Sequence, residues 1–267
     1  MSTSARDWQA FGAGSLIGTL GGLLGLGGAE FRLPVLVGLF RLGTLEAVIL
    51  NKAVSLVVVG AALLFRARAL ATTEVFAHVD VVLNLLAGSL IGAWWAAGHA
   101  ITMPRAWLNR IVMGMLLLLA VLMLSEAWAG HSEAATPVVA AGPARMLMGV
   151  VAGLVIGVFA ALLGVAGGEL LIPTIVLLFG LDVKLAGSLS LLVSLPTMLA
   201  GFARYTRADA FAVLREQRPL LGWMGAGSVI GAAAGGMLLG LAPTRWLVGL
   251  LGAVLLVSAV KTFQHAR

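Results

Sequence analysis

No cysteine occurs among the 267 residues. Disulfides, thiolate metal sites and thiol redox chemistry are thereby excluded, while the compartment stays open. Charge is scarce as well. Asp, Glu, Lys and Arg make up 10% of the chain, against about 25% in a soluble globular domain. A chain so poor in charge, 61% hydrophobic and with a mean hydropathy of +1.07, belongs in a membrane. Alternation of apolar and polar residues is also lacking. A transmembrane barrel needs short alternating strands. The apolar runs here are continuous, and a continuous run in lipid satisfies its backbone as a helix. The four histidines show no metal-ligand spacing. No grouping of nucleophile, base and orienting residue is visible, and no phosphate loop for ATP hydrolysis. An enzyme, a bound metal and a cofactor are therefore not expected. The 17 Lys and Arg outnumber the 11 Asp and Glu, giving a net charge of +6. These basic residues are scattered, so nucleic acid is not an expected partner. They suit loops on the cytoplasmic side of a lipid bilayer.

Apolar segments run over about 9–28, 31–42, 44–65, 75–100 and 105–128, then 146–167, 170–181, 184–203, 219–241 and 243–263. A helix needs about 20 apolar residues to cross a bilayer; the second and seventh segments fall short. The start, MSTSARDWQAFGAG, has no clear cleavage site, so the first span is expected to be retained. The polar stretch AGHSEAATPVVAAGPAR separates two halves. The expected division is a first transmembrane repeat over 1–130, a loop over 131–145 and a second repeat over 146–267.

The halves superpose at a shift of 139 residues, the difference between Glu30 and Glu169. The same shift aligns Gly18 with Gly157, Gly28 with Gly167, Pro34 with Pro173, Ser55 with Ser194, Pro104 with Pro243 and Trp107 with Trp246. Chance supplies matched Ala, Gly and Leu in such a chain, but not matched Glu, Pro and Trp. An internal duplication follows, with five segments per half. An odd number of crossings per half inverts the second half; an even number leaves the halves parallel. Charge counting alone favours the parallel case. Short segments interrupted by Gly and Pro at matching places favour inversion, and that is the expectation here. Either scheme places both termini together, in the cytoplasm.

The stretch GLLGLGGAEFRLPVLVGLF, residues 22–40, sets Glu30 and Arg32 inside an apolar run. ALLGVAGGELLIPTIVLLF, residues 161–179, repeats the pattern with Glu169. Gly25, Gly27 and Gly28, and Gly164, Gly167 and Gly168 in the second half, permit backbone angles that other residues avoid. Pro34 and Pro173 suit the first turn of a restarted helix. A broken helix, restarting near Arg32, is therefore expected in each half. Breaks at membrane depth survive only against protein or a watery cavity. The restarted helix offers unpaired N–H groups and the positive end of its dipole to an anion.

GLGGAEFRLPVL and GVAGGELLIPTI resemble the two glycine-rich signatures, roughly G-x-G-G-G-x-x-x-x-P, of the sulfite exporter TauE/SafE family, also called the toluenesulfonate uptake permease family. AVILNKAVSL and AGSLSLLVSL are similar to that family's next helix. The resemblance covers nearly the whole chain. It implies a carrier of the bacterial inner membrane for sulfite, sulfonates, thiosulfate or related organic anions. The chain departs from the pattern at Ala29 and Ala166, which take glycine positions, and by adding Glu30, Arg32 and Glu169.

Candidate roles follow. Arg32 can hold an oxyanion through paired hydrogen bonds, or it forms a static ion pair with Glu30 or snorkels to an interface. It has no counterpart, since Leu171 stands at the matching position. Glu30 and Glu169 are candidates for proton coupling or gating, because a carboxyl group removed from water can carry a proton at ordinary pH. Capping of the helix starts is the alternative. Asn51 and Ser55 share one helix face, as do Ser190 and Ser194; they line a cavity or tie helices together. Lys52 is either a substrate cation or the partner of Glu30. The expected substrate contacts are therefore Gly27, Gly28, Arg32, Asn51, Lys52, Ser55, Gly167, Gly168, Ser190 and Ser194. The expected function is secondary transport of a small sulfur-containing or organic anion, outward and coupled to protons. A channel, a metal-cation carrier and an assembly protein without cargo are the alternatives. The sequence leaves the oligomeric state open.

Overall fold

A computed structural model describes residues 3–24, 28–66, 77–129, 137, 139–181, 183–206, 209–237, 253 and 256. The described residues are helical throughout their regular structure. In chain order the helices are α1 (Thr3–Leu24), α2 (Ala29–Gly38), α3 (Thr44–Arg66), α4 (Val79–Thr102), α5 (Arg105–Ala129), α6 (Pro143–Leu163), α7 (Gly168–Thr174), α8 (Val183–Tyr205), α9 (Val213–Glu216) and α10 (Arg218–Met237). A π-helical turn, Ile175–Phe179, extends α7, and a 3-10 turn, Asp209–Ala212, precedes α9. Five helices (α3, α4, α5, α6 and α8) are long and apolar enough to cross a membrane. The last apolar segment, 243–263, falls outside the described residues except at 253 and 256.

Glycine sets the tightest packing. A methyl group added at Gly14 or Gly18 on α1 would overlap the backbone carbonyls of Met224 or Ser228 on α10. At Gly153 and Gly157 on α6 it would overlap those of Leu85 and Ser89 on α4. Each contact in the second set is the first moved by 139 residues. Gly88 against Val150 and Gly227 against Phe11 repeat the relation, as do Gly92 against Leu154 and Gly231 against Ser15. Each half therefore lends its first long helix to the other half's fourth segment, and the two interfaces are built alike. Backbones this close gain dispersion contacts that lipid chains cannot match, which is why small residues gather at membrane helix interfaces.

The contacts also give helix directions. Gly14 meets Met224 and Gly18 meets Ser228, so α1 and α10 run parallel. By the same argument α4 and α6 run parallel, and α8 follows α4, with Ser89 against Thr197 and Gly98 against Arg204. By contrast, α3 opposes α8. Lys52, early in α3, meets Gly201, late in α8. Farther along α3, Leu56, Val59 and Leu63 cluster with Leu191, Leu195 and Met198, which precede Gly201.

One end of the bundle gathers the basic residues. There Arg6 donates to Gln217 (3.1 Å) and lies over the Phe40 ring, Thr44 hydrogen-bonds Asn109, and Arg204 packs on Gly98. Arg41, Arg105, Arg110, Arg215 and Arg218 belong to this end. At the opposite end the Asn84 amide donates to the Met146 carbonyl (2.9 Å) and Arg145 lies over Phe179.

Candidate functional site

Both helix breaks are glycine turns. α6 ends at Gly164, whose φ is 68°, and α7 starts after Gly167, whose φ is 79°. α2 starts after Gly28, with φ at 68°. These left-handed angles cost little only for glycine. The chain has doubled back by Gly28, because a Cβ there would press on the Ile17 carbonyl of α1. Gly167 sits against Ile156 of α6, the matching position. Gly25 and Gly27 lie outside the described residues.

The prolines stand elsewhere than the sequence suggested. The restarted helices begin at Ala29 and Gly168, not near Arg32. Pro34 and Pro173 are therefore each the sixth residue of its helix, inside it, and the breaks belong to the glycines. Proline inside a helix withholds the N–H that would reach the carbonyl four residues back. In both halves that carbonyl belongs to the glutamate, Glu30 or Glu169.

The two glutamates meet. Glu30 is fully buried, Glu169 is half-buried, and their carboxyl groups lie within hydrogen-bonding reach of each other. Ionised carboxylates only accept hydrogen bonds, so as ionised groups they leave both Glu30 oxygens and Oε1 of Glu169 without a donor. The residue at the cap of each helix start is a glycine, Gly28 or Gly167, which has no side chain to cap it. Because Glu30 and Glu169 are equivalent under the 139-residue shift, their contact lies where the two halves exchange.

Beside this pair a polar knot ties three elements together. Arg32 Nη1 donates to Asn51 Oδ1 (3.1 Å) and to Ser55 Oγ (3.0 Å). Asn51 Nδ2 donates to the carbonyls of Ala29 and Leu163, both at 3.0 Å. The first opens α2 and the second closes α6. Arg32, Asn51 and Ser55 are all buried. Arg32 does not snorkel, since its guanidinium is held inward by α3.

Lys52 points another way. It is fully buried, its Nζ makes no hydrogen bond to any described residue, and it lies 5.6 Å from the centre of the Tyr205 ring. A Cβ on Gly201 would stand 2.6 Å from Nζ, so that glycine makes the room. The Tyr205 hydroxyl donates to the Ala161 carbonyl (3.1 Å), which fixes the ring under the ammonium. Lys52 is thus the partner of an aromatic face rather than of Glu30. The structure separates it from Asn51 and Ser55, which turn toward Arg32.

The second half is plainer. Ser190 donates to Gly187 of its own helix (2.9 Å), and the buried Ser194 Oγ has no partner among the described residues. Tyr205, Gly201 and the Ser89–Thr197 hydrogen bond (2.7 Å) escaped sequence reasoning. Tyr205 is the chain's one tyrosine, and a lone tyrosine near the end of an apolar segment reads as an interface anchor. Only its partner Lys52, 153 positions away, reveals otherwise.

Among the described residues no three His, Cys, Asp or Glu side chains gather to hold a metal. The site instead combines two facing carboxyl groups, a hydrogen-bonded guanidinium and an ammonium over an aromatic ring, all at the meeting of two interrupted helices. Such interruptions between the halves of a duplicated helical bundle are where transporters bind their cargo. No curated protein and no solved structure matches the chain. The family model described as sulfite exporter TauE/SafE matches residues 10–262. A match of that extent takes in both glycine turns and both halves, and the chain belongs to the sulfite exporter TauE/SafE family of multi-pass membrane transporters.

Proposed function

We propose that the chain is a secondary carrier that moves a small sulfur-containing or organic anion, of the sulfite or sulfonate class, together with protons. The observation that carries this reading is the Glu30–Glu169 contact beside the buried Arg32. Two ionised carboxylates do not sit side by side away from water. Such a pair keeps a proton between its members when closed, and releases it when water or a cation separates them. With both carboxylates ionised, the pair repels an anion and cancels Arg32 and Lys52. Each proton taken up leaves one cationic charge uncompensated, and an anion supplies the balance. Proton and anion then move together, and outward movement is the direction the family implies.

The anion's contacts are Arg32, Lys52 and the helix starts after Gly28 and Gly167, with Asn51, Ser55 and Ser194 as neutral neighbours. Gly168 and Ser190 complete the lining. Glu30 and Glu169 gate it.

The two halves, 1–130 and 146–267, are inverted repeats in this reading. What supports it is that α3 and α8, equivalent under the 139-residue shift, run in opposite directions. The basic end of the bundle then faces the cytoplasm of a bacterial inner membrane, with both chain termini. Alternating access follows from rocking the halves about the Glu30–Glu169 contact.

A specific observation favours a second reading. Pro34 and Pro173 release the carbonyls of the same two glutamates, and carboxylates with carbonyl oxygens suit a cation. A thermal-stability screen of purified protein separates the readings. Stabilisation by sulfite, thiosulfate or an organic sulfonate, absent with alkali and divalent chloride salts, supports the anion carrier. The reverse pattern replaces it with the cation carrier.

A further inference from the structure

The basic end of the bundle holds a groove that the transport reading does not use. It lies between the C-terminal ends of α4 and α8 and has a volume of about 680 Å³. Leu90 and Ile91 line its deep part, and Trp94, Trp95, His99 and Arg204 its upper part. The Arg204 guanidinium lies 5.2 Å from the centre of the Trp94 ring. It presses on Gly98, where a Cβ would come 3.0 Å from Nε. No described residue accepts a hydrogen bond from this arginine, and its Nε is buried and unsatisfied. The Trp95 and His99 rings lie tilted at 37° with centroids 4.2 Å apart, and His99 Nδ1 donates to the Trp95 carbonyl at 2.9 Å. Nε2 of His99 is left to other partners. Among the described residues that line the groove, none is acidic.

We propose that this groove binds one phospholipid with a net negative headgroup, its phosphate on Arg204 and one acyl chain along Leu90 and Ile91. Three observations converge. The depth is right: Arg204 is the penultimate residue of its helix, and Ile91 lies eleven residues below Thr102, the end of α4. At about 1.5 Å per residue that is roughly 16 Å, the length of one leaflet's acyl layer. The chemistry is right: a guanidinium pinned on an indole face presents its remaining N–H groups in a fork that matches a phosphate, and the tryptophans belong at headgroup level.

The third observation is asymmetry. Under the 139-residue shift Trp94, Trp95, His99 and Arg204 correspond to Ala233, Ala234, Leu238 and Phe65. The sequence thus sets cationic and aromatic residues in one copy of the repeat where the other copy has apolar residues. A feature required only for packing the shared fold would recur in both. This one is confined to the arginine-rich end, the end that meets the leaflet where anionic headgroups attract basic residues.

Quenching of tryptophan fluorescence tests it. The protein is placed in phosphatidylcholine bilayers carrying a small fraction of lipid brominated on its acyl chains. Brominated phosphatidylglycerol is expected to quench severalfold more than brominated phosphatidylcholine at equal fraction. Arg204→Gln removes that preference, Trp94→Phe removes most of the quenched signal, and Arg218→Ala, an exposed arginine at the same end, leaves both unchanged. Equal quenching of the wild type by the two lipids overturns the proposal without any variant. So does a preference retained in Arg204→Gln, or abolition of the preference by millimolar inorganic phosphate, which would assign the site to free phosphate.

Discussion

The side-chain amide of Asn51 donates to the backbone carbonyl of Leu163 over 3.0 Å, joining α3 of the first half to the end of α6 in the second. A helix end buried in protein needs partners for its last carbonyls, and this one finds its partner 112 residues away. The same amide holds Ala29 at the start of α2 and accepts from Arg32. One side chain thus fixes the helix breaks of both halves against each other.

Asn51→Ala strips partners from two buried carbonyls and from a buried guanidinium. The guanidinium keeps Ser55 and the Ala29 carbonyl keeps its place in α2, so the Leu163 carbonyl bears most of the cost of an unsatisfied buried group, and a loss of about 1–3 kcal/mol is expected. Thermal unfolding in detergent reads it as a large fall in melting temperature. Ser55→Ala removes only one of the contacts to Arg32 and is expected to be much milder. Equal effects would mean that Asn51 does not organise the breaks.

Close helix approach makes a sharper contrast between glycines of one helix. Gly18→Val sets a side chain against the Ser228 backbone and is expected to prevent α1 from docking on α10. Gly12→Ala, on the same helix with nothing within 4 Å, is expected to be neutral or stabilising by up to about 1 kcal/mol. Gly157→Val, the counterpart of Gly18→Val, fails in the same way if the two interfaces are equivalent. Size-exclusion profiles of the three variants decide this.

Lys52→Met removes a buried ammonium that has no acid partner among the described residues while keeping the volume of the side chain. Replacing a buried charge by an apolar residue of similar size is often neutral or stabilising. The variant is therefore expected to melt no lower than wild type, yet to lose the stabilisation given by the anionic substrate. A lower melting temperature with full substrate stabilisation would assign Lys52 to packing on Tyr205 instead.

The helices and the duplication were legible because both rest on patterns along the chain. Continuous apolar runs have one solution in lipid, and a gapless shift that pairs Glu, Pro and Trp has one explanation. The places where the helices restart were less legible. Pro34 invited a helix start at its own position, whereas three glycines just upstream allow the turn and Ala29 follows directly. Local preference ranks proline as a first-turn residue, but in α2 it stands inside the helix. The two matching hairpins are expected from the repeat to meet near the midplane, but nothing along the sequence says that the carboxyl groups of Glu30 and Glu169 come within reach of each other. The direction of Lys52 was hidden in the same way: it follows Asn51 in the chain, but about 100° around a helix is enough to turn it toward Gly201 and Tyr205.

The central claim is that the facing glutamates couple protons to the passage of an anion, and proton flux out of proteoliposomes tests it most directly. With an outward anion gradient imposed on sealed vesicles, wild type is expected to move protons with the anion. Glu30→Gln and Glu169→Gln, each folded by its elution profile, are expected to lose the proton movement at least tenfold. Anion-driven proton movement that persists at the wild-type rate in both variants contradicts the account.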